Sequence, residues 1–164
     1  MIINLARVDD RLIHGQVTTV WSKESNADRI IIVDEEVYND DIRKTLLKQA
    51  CPPGMKVNIV DAKKAVAVYK NPKYQDTKVF YLFTNPTEVL KIVEQGVDIK
   101  TLNIGGMQYK NGKVQITKAI SVDKQDVASF KKLNDLGVKL DIQTVKTDPH
   151  VDLMTKIKSK YKEK

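Results

Sequence analysis

Cysteine occurs once in this chain, as Cys51, and histidine twice, as His14 and His150. A single thiol rules out an internal disulfide framework and fits a reducing cytoplasm. Two imidazoles and one thiol so far apart do not make a structural zinc site, and no metal or other cofactor is expected. Aromatics are sparse at 6%, and glycine and proline number only seven and five, so neither a collagen-like nor a low-complexity chain is in view. No apolar run approaches the length needed to cross a bilayer, and no charged start with an apolar core marks a signal peptide. Gly105-Gly106 lacks the dinucleotide fingerprint, and no stretch fits a phosphate loop ending in Gly-Lys-Ser/Thr. No internal repeat or linker divides the chain, so residues 1–164 are expected to form one domain. The expected compartment is the cytoplasm.

What is present is an ordinary soluble balance, 41% hydrophobic and 30% charged, with a formal net charge of +7. That charge raises nucleic-acid binding as a rival function. The excess, however, is not concentrated on one stripe with interleaved aromatics, and much of it sits in the tail, where Lys146, Lys156, Lys158, Lys160, Lys162 and Lys164 outnumber Asp148, Asp152 and Glu163. Leu153, Ile157 and Tyr161 recur at a spacing of four and predict a terminal helix docked by that face, with the lysines wet. No nucleic-acid partner is therefore expected.

Apolar β-branched runs alternate with helical patterns. Ile2–Ala6, Ile30–Val33, Met55–Val60, Val79–Phe83 and Leu102–Ile104 read as strands, the least alternating of them covered on both faces. Asp34–Asn39 reads as a polar loop. Asn39 or Asp40 can cap a helix through Ile42, Leu46, Leu47 and Ala50, stopped by Pro52-Pro53-Gly54. Asp61 caps Ala62–Lys70, and Pro86 suits the first position of a helix with Val89, Leu90 and Val93 inward. Lys110-Asn111-Gly112-Lys113 is a turn signal between two β-compatible runs, so Met107 to Ser121 reads as an irregular excursion or a small hairpin. Asp123 begins a helix with Val127, Phe130, Leu133 and Leu136 inward, and the alternating Val138–Val145 reads as an edge strand. Strand alternating with helix predicts an α/β domain with an open, mostly parallel sheet.

The chemistry concentrates in Arg7-Val8-Asp9-Asp10-Arg11-Leu12-Ile13-His14-Gly15-Gln16-Val17, between the first strand and the first helix. Such loops, at the carboxyl end of a strand in an open sheet, commonly hold a ligand. His14 and Gly15 fall at or just before the helix start, where unpaired N–H groups and the helix dipole favour an anion. Arg11 adds a planar cation whose fork suits phosphate. By composition alone, a histidine near a helix start is more often a cap, and alternating Asp and Arg a self-paired wet loop. A non-catalytic ligand-binding α/β domain would use the same loop edge. Gly105-Gly106 reads as a tight turn, or else as a backbone rim around the His14 pocket, and Thr84 and Asn85 raise the same question. His150 reads as incidental.

The string itself resembles the active-site segment of enzyme IIB, the B component of the mannose/fructose/sorbose-type phosphoenolpyruvate-dependent sugar phosphotransferase system. Arg43–Leu47, Pro52-Pro53-Gly54, Asn71–Tyr74, Leu82–Thr87, Asn103–Met107, Phe130–Asn134 and Thr147-Asp148-Pro149 are similar to further segments of these components, in order. The resemblance implies helices on both faces of the sheet and one antiparallel edge strand. It implies a stand-alone phosphocarrier that accepts a phosphoryl group on Nδ1 of His14 from a phosphohistidine of the IIA component. The group then passes to a sugar held by the IIC/IID membrane components, the chain touching the membrane only through them. Arg11, Gly15 and Gln16 are the expected phosphate contacts, and Asp9 or Asp10 the orienting group. Arg7 and Arg11, the cations nearest His14, are expected to steer the IIA partner.

Overall fold

The computed structural model describes residues 1–162, so Glu163 and Lys164 of the tail lie outside the described residues. In chain order, β1 (Ile2–Asp9) leads into a helix that turns at Gly15, continues as a π-helical stretch (Val17–Trp21) and ends as α1 (Ser22–Ser25). Then follow β2 (Arg29–Val33), α2 (Glu35–Tyr38), α3 (Asp41–Gln49), β3 (Lys56–Val60), α4 (Ala62–Lys70), β4 (Lys78–Phe83), α5 (Pro86–Val93) and β5 (Thr101–Gly106). A hairpin of β6 (Val114–Thr117) and β7 (Ile120–Val122) precedes α6 (Lys124–Asp135), β8 (Lys139–Ile142), β9 (Val151–Asp152) and α7 (Leu153–Lys160).

The main sheet has seven strands in the order β3-β2-β4-β1-β5-β8-β9, parallel except for β8 with β9. Toward their carboxyl ends β1, β2, β4 and β5 are buried at every position because both faces are covered there. On β4, Phe80 and Leu82 face one way and pack with Val17, Trp21, Val37 and Leu47 from the π-helical stretch, α2 and α3. Val79, Tyr81 and Phe83 face the other way and meet Val66, Val89, Phe130 and Ile157 from α4, α5, α6 and α7. The two cores and the expected open parallel sheet thus follow from one alternation rule. Asp40, Asp61, Asn85, Asp123 and Asp152 each accept a backbone N–H in the first turn of the helix they cap.

Four expectations need correction. Asp34–Asn39 is not wholly loop: Asp34 accepts the Val37 N–H at 2.9 Å and caps the one-turn helix α2. The alternating segment after Val138 is not the edge. β8 is parallel to β5, and the two-residue β9 covers its outer side. Lys110–Lys113 leads into the hairpin rather than joining its strands, which are joined at Lys118-Ala119. Leu136 is the residue after α6, where the helical phase ends; it is 55% exposed, and Val138 takes the inward position. On α3 only Leu47 is buried, with Ile42 and Leu46 on the outer face.

Candidate active site

β1 is the fourth strand of seven, and its last residue, Asp9, is wholly buried at the carboxyl edge of the sheet. Three side chains converge on this carboxylate. Its Oδ2 accepts Arg7 Nη2 at 3.1 Å, Arg11 Nη2 at 3.1 Å and His14 Nε2 at 2.9 Å. Its Oδ1 accepts the Arg11 backbone N–H at 3.2 Å and Arg11 Nε at 3.1 Å. Burial alone would raise this acid. The hydrogen bonds from His14 and Arg11, with the charges of His14 and Arg7, outweigh it and hold the carboxyl at about 2. Asp9 is therefore ionised at neutral pH and acts only as an acceptor. The proton in the contact with His14 must sit on Nε2, and a neutral imidazole so held presents the Nδ1 lone pair outward. Asp9, not Asp10, is the carboxylate in contact with the His14 ring and Arg11. Asp10 instead accepts the Gln108 N–H through Oδ2 at 2.8 Å.

Arg7 is also fully buried, which overturns its expected place on a docking surface. Residues two apart on a strand share a face, so Arg7 lies beneath Asp9 rather than beside it in water. Its guanidinium donates to Asn103 Oδ1 at 2.5 Å, to the Gln143 carbonyl at 3.0 Å and to the Thr144 carbonyl at 3.0 Å. The Trp21 ring covers it at 4.4 Å and donates its own N–H to the Thr144 carbonyl at 3.2 Å. Burial pulls the Arg7 pKa down to about 10, against the raising effect of Asp9, so the group stays charged at neutral pH. Gly105 makes room for it: a Cβ there would lie 2.0 Å from the guanidinium carbon. Trp21, Asn103 and the carbonyls after β8 were not foreseen. The shared parity of Arg7 and Asp9 on one strand was the available signal.

The loop between Asp9 and His14 closes with the Leu12 N–H on the Asp9 carbonyl at 2.9 Å. Leu12 takes the left-handed region at φ 59° while its side chain is buried, an arrangement that costs about 1–3 kcal/mol and persists only because neighbours enforce it. His14 then starts the helix, its carbonyl accepting the Thr18 N–H at 2.8 Å. Its side chain keeps 19% exposure. Gly15 and Gln16 occupy the exposed first turn, where N–H groups have no partner within the helix. Gly106 lies beside Asp9 and Arg11, a Cβ there being 3.2 Å from Asp9 Oδ1 and 3.3 Å from Arg11 Nη2, and both glycines fall within β5 rather than in a tight turn after it. Thr84 and Asn85 turn away: Thr84 bonds Asp34, and Asn85 caps α5. His150 pairs with Asp141 at 2.5 Å on β8 and takes no part. Among the described residues no cluster of three potential metal ligands occurs.

Residues 3–164 match the family model described as the PTS system sorbose subfamily IIB component. The chain belongs to this family. Its relatives include the sorbose-specific EIIB component of Lacticaseibacillus casei, 73% identical over 157 residues and 96% of each chain. The mannose-specific EIIAB component of Escherichia coli K12 is 53% identical over 154 residues, 94% of this chain but 48% of that longer protein. The crystal structure of the IIBSor domain of the sorbose permease from Klebsiella pneumoniae superposes with a TM-score of 0.94 at 63% identity, covering 97% of this chain and 98% of that one. For this IIB component the mostly parallel sheet and the antiparallel β8–β9 pairing stand as expected. No helix among the described residues is long and apolar enough to cross a membrane.

Proposed function

We propose that this chain is a cytoplasmic phosphocarrier whose reacting atom is Nδ1 of His14. The observation that carries the assignment is the Nε2 contact with a permanently ionised Asp9, which fixes the tautomer and leaves Nδ1 as nucleophile. In the first step Nδ1 attacks the phosphorus of a phosphohistidine on the IIA component. The donor's N–P bond breaks as the new one forms, and the freed electron pair returns to the donor imidazole. In the second step a sugar hydroxyl held by the IIC/IID components attacks, the Nδ1–P bond breaks, and the hydroxyl proton is lost. The sugar falls in the class named in the relatives, which include sorbose-, mannose- and fructose-specific components.

Phosphoryl transfer needs alignment and charge stabilisation more than covalent help from the protein. Arg11, 40% exposed and bonded by Asp9 along one edge, can turn remaining N–H groups to the transferring oxygens. The N–H groups at Gly15 and Gln16 supply an anion seat at the helix start. No step requires a bound metal. The test is mass spectrometry after incubation with phosphoenolpyruvate, the general transfer proteins and a cognate IIA component. One phosphoryl group is expected on the wild type and none on His14→Ala at unchanged secondary structure. Label that persists on the variant would overturn the assignment.

A further inference from the structure

A second crevice opens at the same edge of the sheet, on the other side of Asp10. β1 and β4 are neighbours, but the helix after β1 packs on one face of the sheet and α5, after β4, on the other. Where adjacent parallel strands send their connections to opposite faces, the diverging loops leave a gap that ligands commonly fill. Here the gap is about 430 Å³, within the range of small-molecule sites. Its charge is opposite to that of the protein. Seven carboxylates and four cations line it, on a chain of net charge +7.

Two of those carboxylates are incompletely satisfied. Glu88 is 7% exposed; its Oε1 accepts Lys91 at 3.0 Å, but its Oε2 is buried with no partner among the described residues. Oδ1 of Asp10 is likewise buried and unpartnered, its Oδ2 being used by Gln108. A buried acceptor without a donor costs about 1–3 kcal/mol, more when charged. The cations present are committed in part: Lys91 to Glu88 and, at 3.8 Å, Glu35, and Lys113 to Asp126 at 2.9 Å. The N-terminal N–H groups of α2 and α5 would favour an anion, but Asp34 and Asn85 already cap them. The carboxylates do not converge as a metal site, since no group of three potential ligands occurs among the described residues. The missing element is a donor-rich cation.

We propose that this crevice binds an ammonium or guanidinium group, toward which Glu88 and Asp10 turn their covered and unpartnered oxygens Oε2 and Oδ1, carried either by a free amine or by a lysine or arginine of a docking protein. The test is amide-shift mapping on the full chain, with spermidine, with a tetrapeptide holding one lysine and one arginine, and with sorbitol as a neutral donor of similar size. Saturable shifts are expected at Asp10, Asn85 and Glu88 with a cationic probe, and they should weaken with salt. Glu88→Gln keeps the shape and removes the charge, so it should weaken binding about tenfold or more. Lys91→Met removes a competing cation and should leave binding equal or tighter, whereas a merely structural Glu88–Lys91 pair would lose the response in both variants. Spermidine shifts with a silent peptide identify a free amine, and the reverse identifies a protein-borne cation. Silence from both, shifts spread evenly over exposed acids such as Asp41 and Asp98, an unchanged response in Glu88→Gln, or a response to sorbitol alone would overturn the proposal.

Discussion

Arg11 and Arg7 share one carboxylate but differ in what surrounds them, and their substitutions should separate accordingly. Arg11 is 40% exposed, so its ion pair is screened and adds at most about 1 kcal/mol to stability. Arg11→Lys keeps the charge and loses the fork; phosphoryl transfer should slow by an order of magnitude or more in rapid-quench assays while the urea midpoint barely moves. Arg7 has no water at all. Arg7→Met takes one donor each from Asn103, the Gln143 and Thr144 carbonyls and buried Asp9, the carbonyls keeping only Asn103 and Trp21, and should cost roughly 3–5 kcal/mol in the same urea titration. Arg7→Glu is therefore no probe of partner docking, since it places a second carboxylate against buried Asp9. A test of charge-steered docking belongs instead on exposed Arg11.

At the scale of elements, the end of β5 shapes the site by what it omits. Gly105→Ala puts a methyl into the Arg7 guanidinium and should destabilise by about 1–3 kcal/mol while slowing transfer, because Arg7 must shift and Asp9 with it. Gly15→Ala, with nothing within 4 Å of its added carbon, should fold normally, and differential scanning calorimetry on the pair checks the contrast. The π-helical stretch is a second such device. The Ser22 N–H reaches back five residues to the Val17 carbonyl, so one extra residue separates His14 from Trp21. Deleting exposed Thr19 should restore ordinary helical spacing with His14 and Trp21 in nearly the same register, because the wider turn absorbs the extra residue, so circular dichroism and transfer should both survive.

Neither device was legible beforehand, because propensity and periodicity report which face is apolar, not how many residues a turn contains. Asp61 and Asp123 were legible as caps, and Asp40 as one of two choices, since each needs only a local N–H; Asp34 and Asp152 were not singled out. β9 was not: two residues carry no alternation, and only the exposed side of β8 calls for them. His14 and Arg11 could be singled out from the string, whereas the depth of Arg7 depended on β5 and the chain after β8.

For the whole molecule, the depressed Asp9 carboxyl ties stability to pH. The unfolded carboxyl titrates near 3.8 and the folded one at about 2, so between them the unfolded state binds the proton more readily. That stabilisation, about 2 kcal/mol, is fully present above pH 4 and is lost as pH falls through 2. Acid melts of the wild type and Asp9→Asn should differ in slope only within that window. The same network spans nearly the whole chain. Arg7 is 136 and 137 residues away from the carbonyls of Gln143 and Thr144 that it donates to. On the ribosome, then, the cation emerges early and its acceptors close to last. Until the chain after β8 docks, the Arg7 guanidinium beneath Asp9 lacks two of its acceptors. A complete set of partners for Arg7 is thus a property that a half-made chain lacks, and the buried cation itself records that synthesis has passed β8.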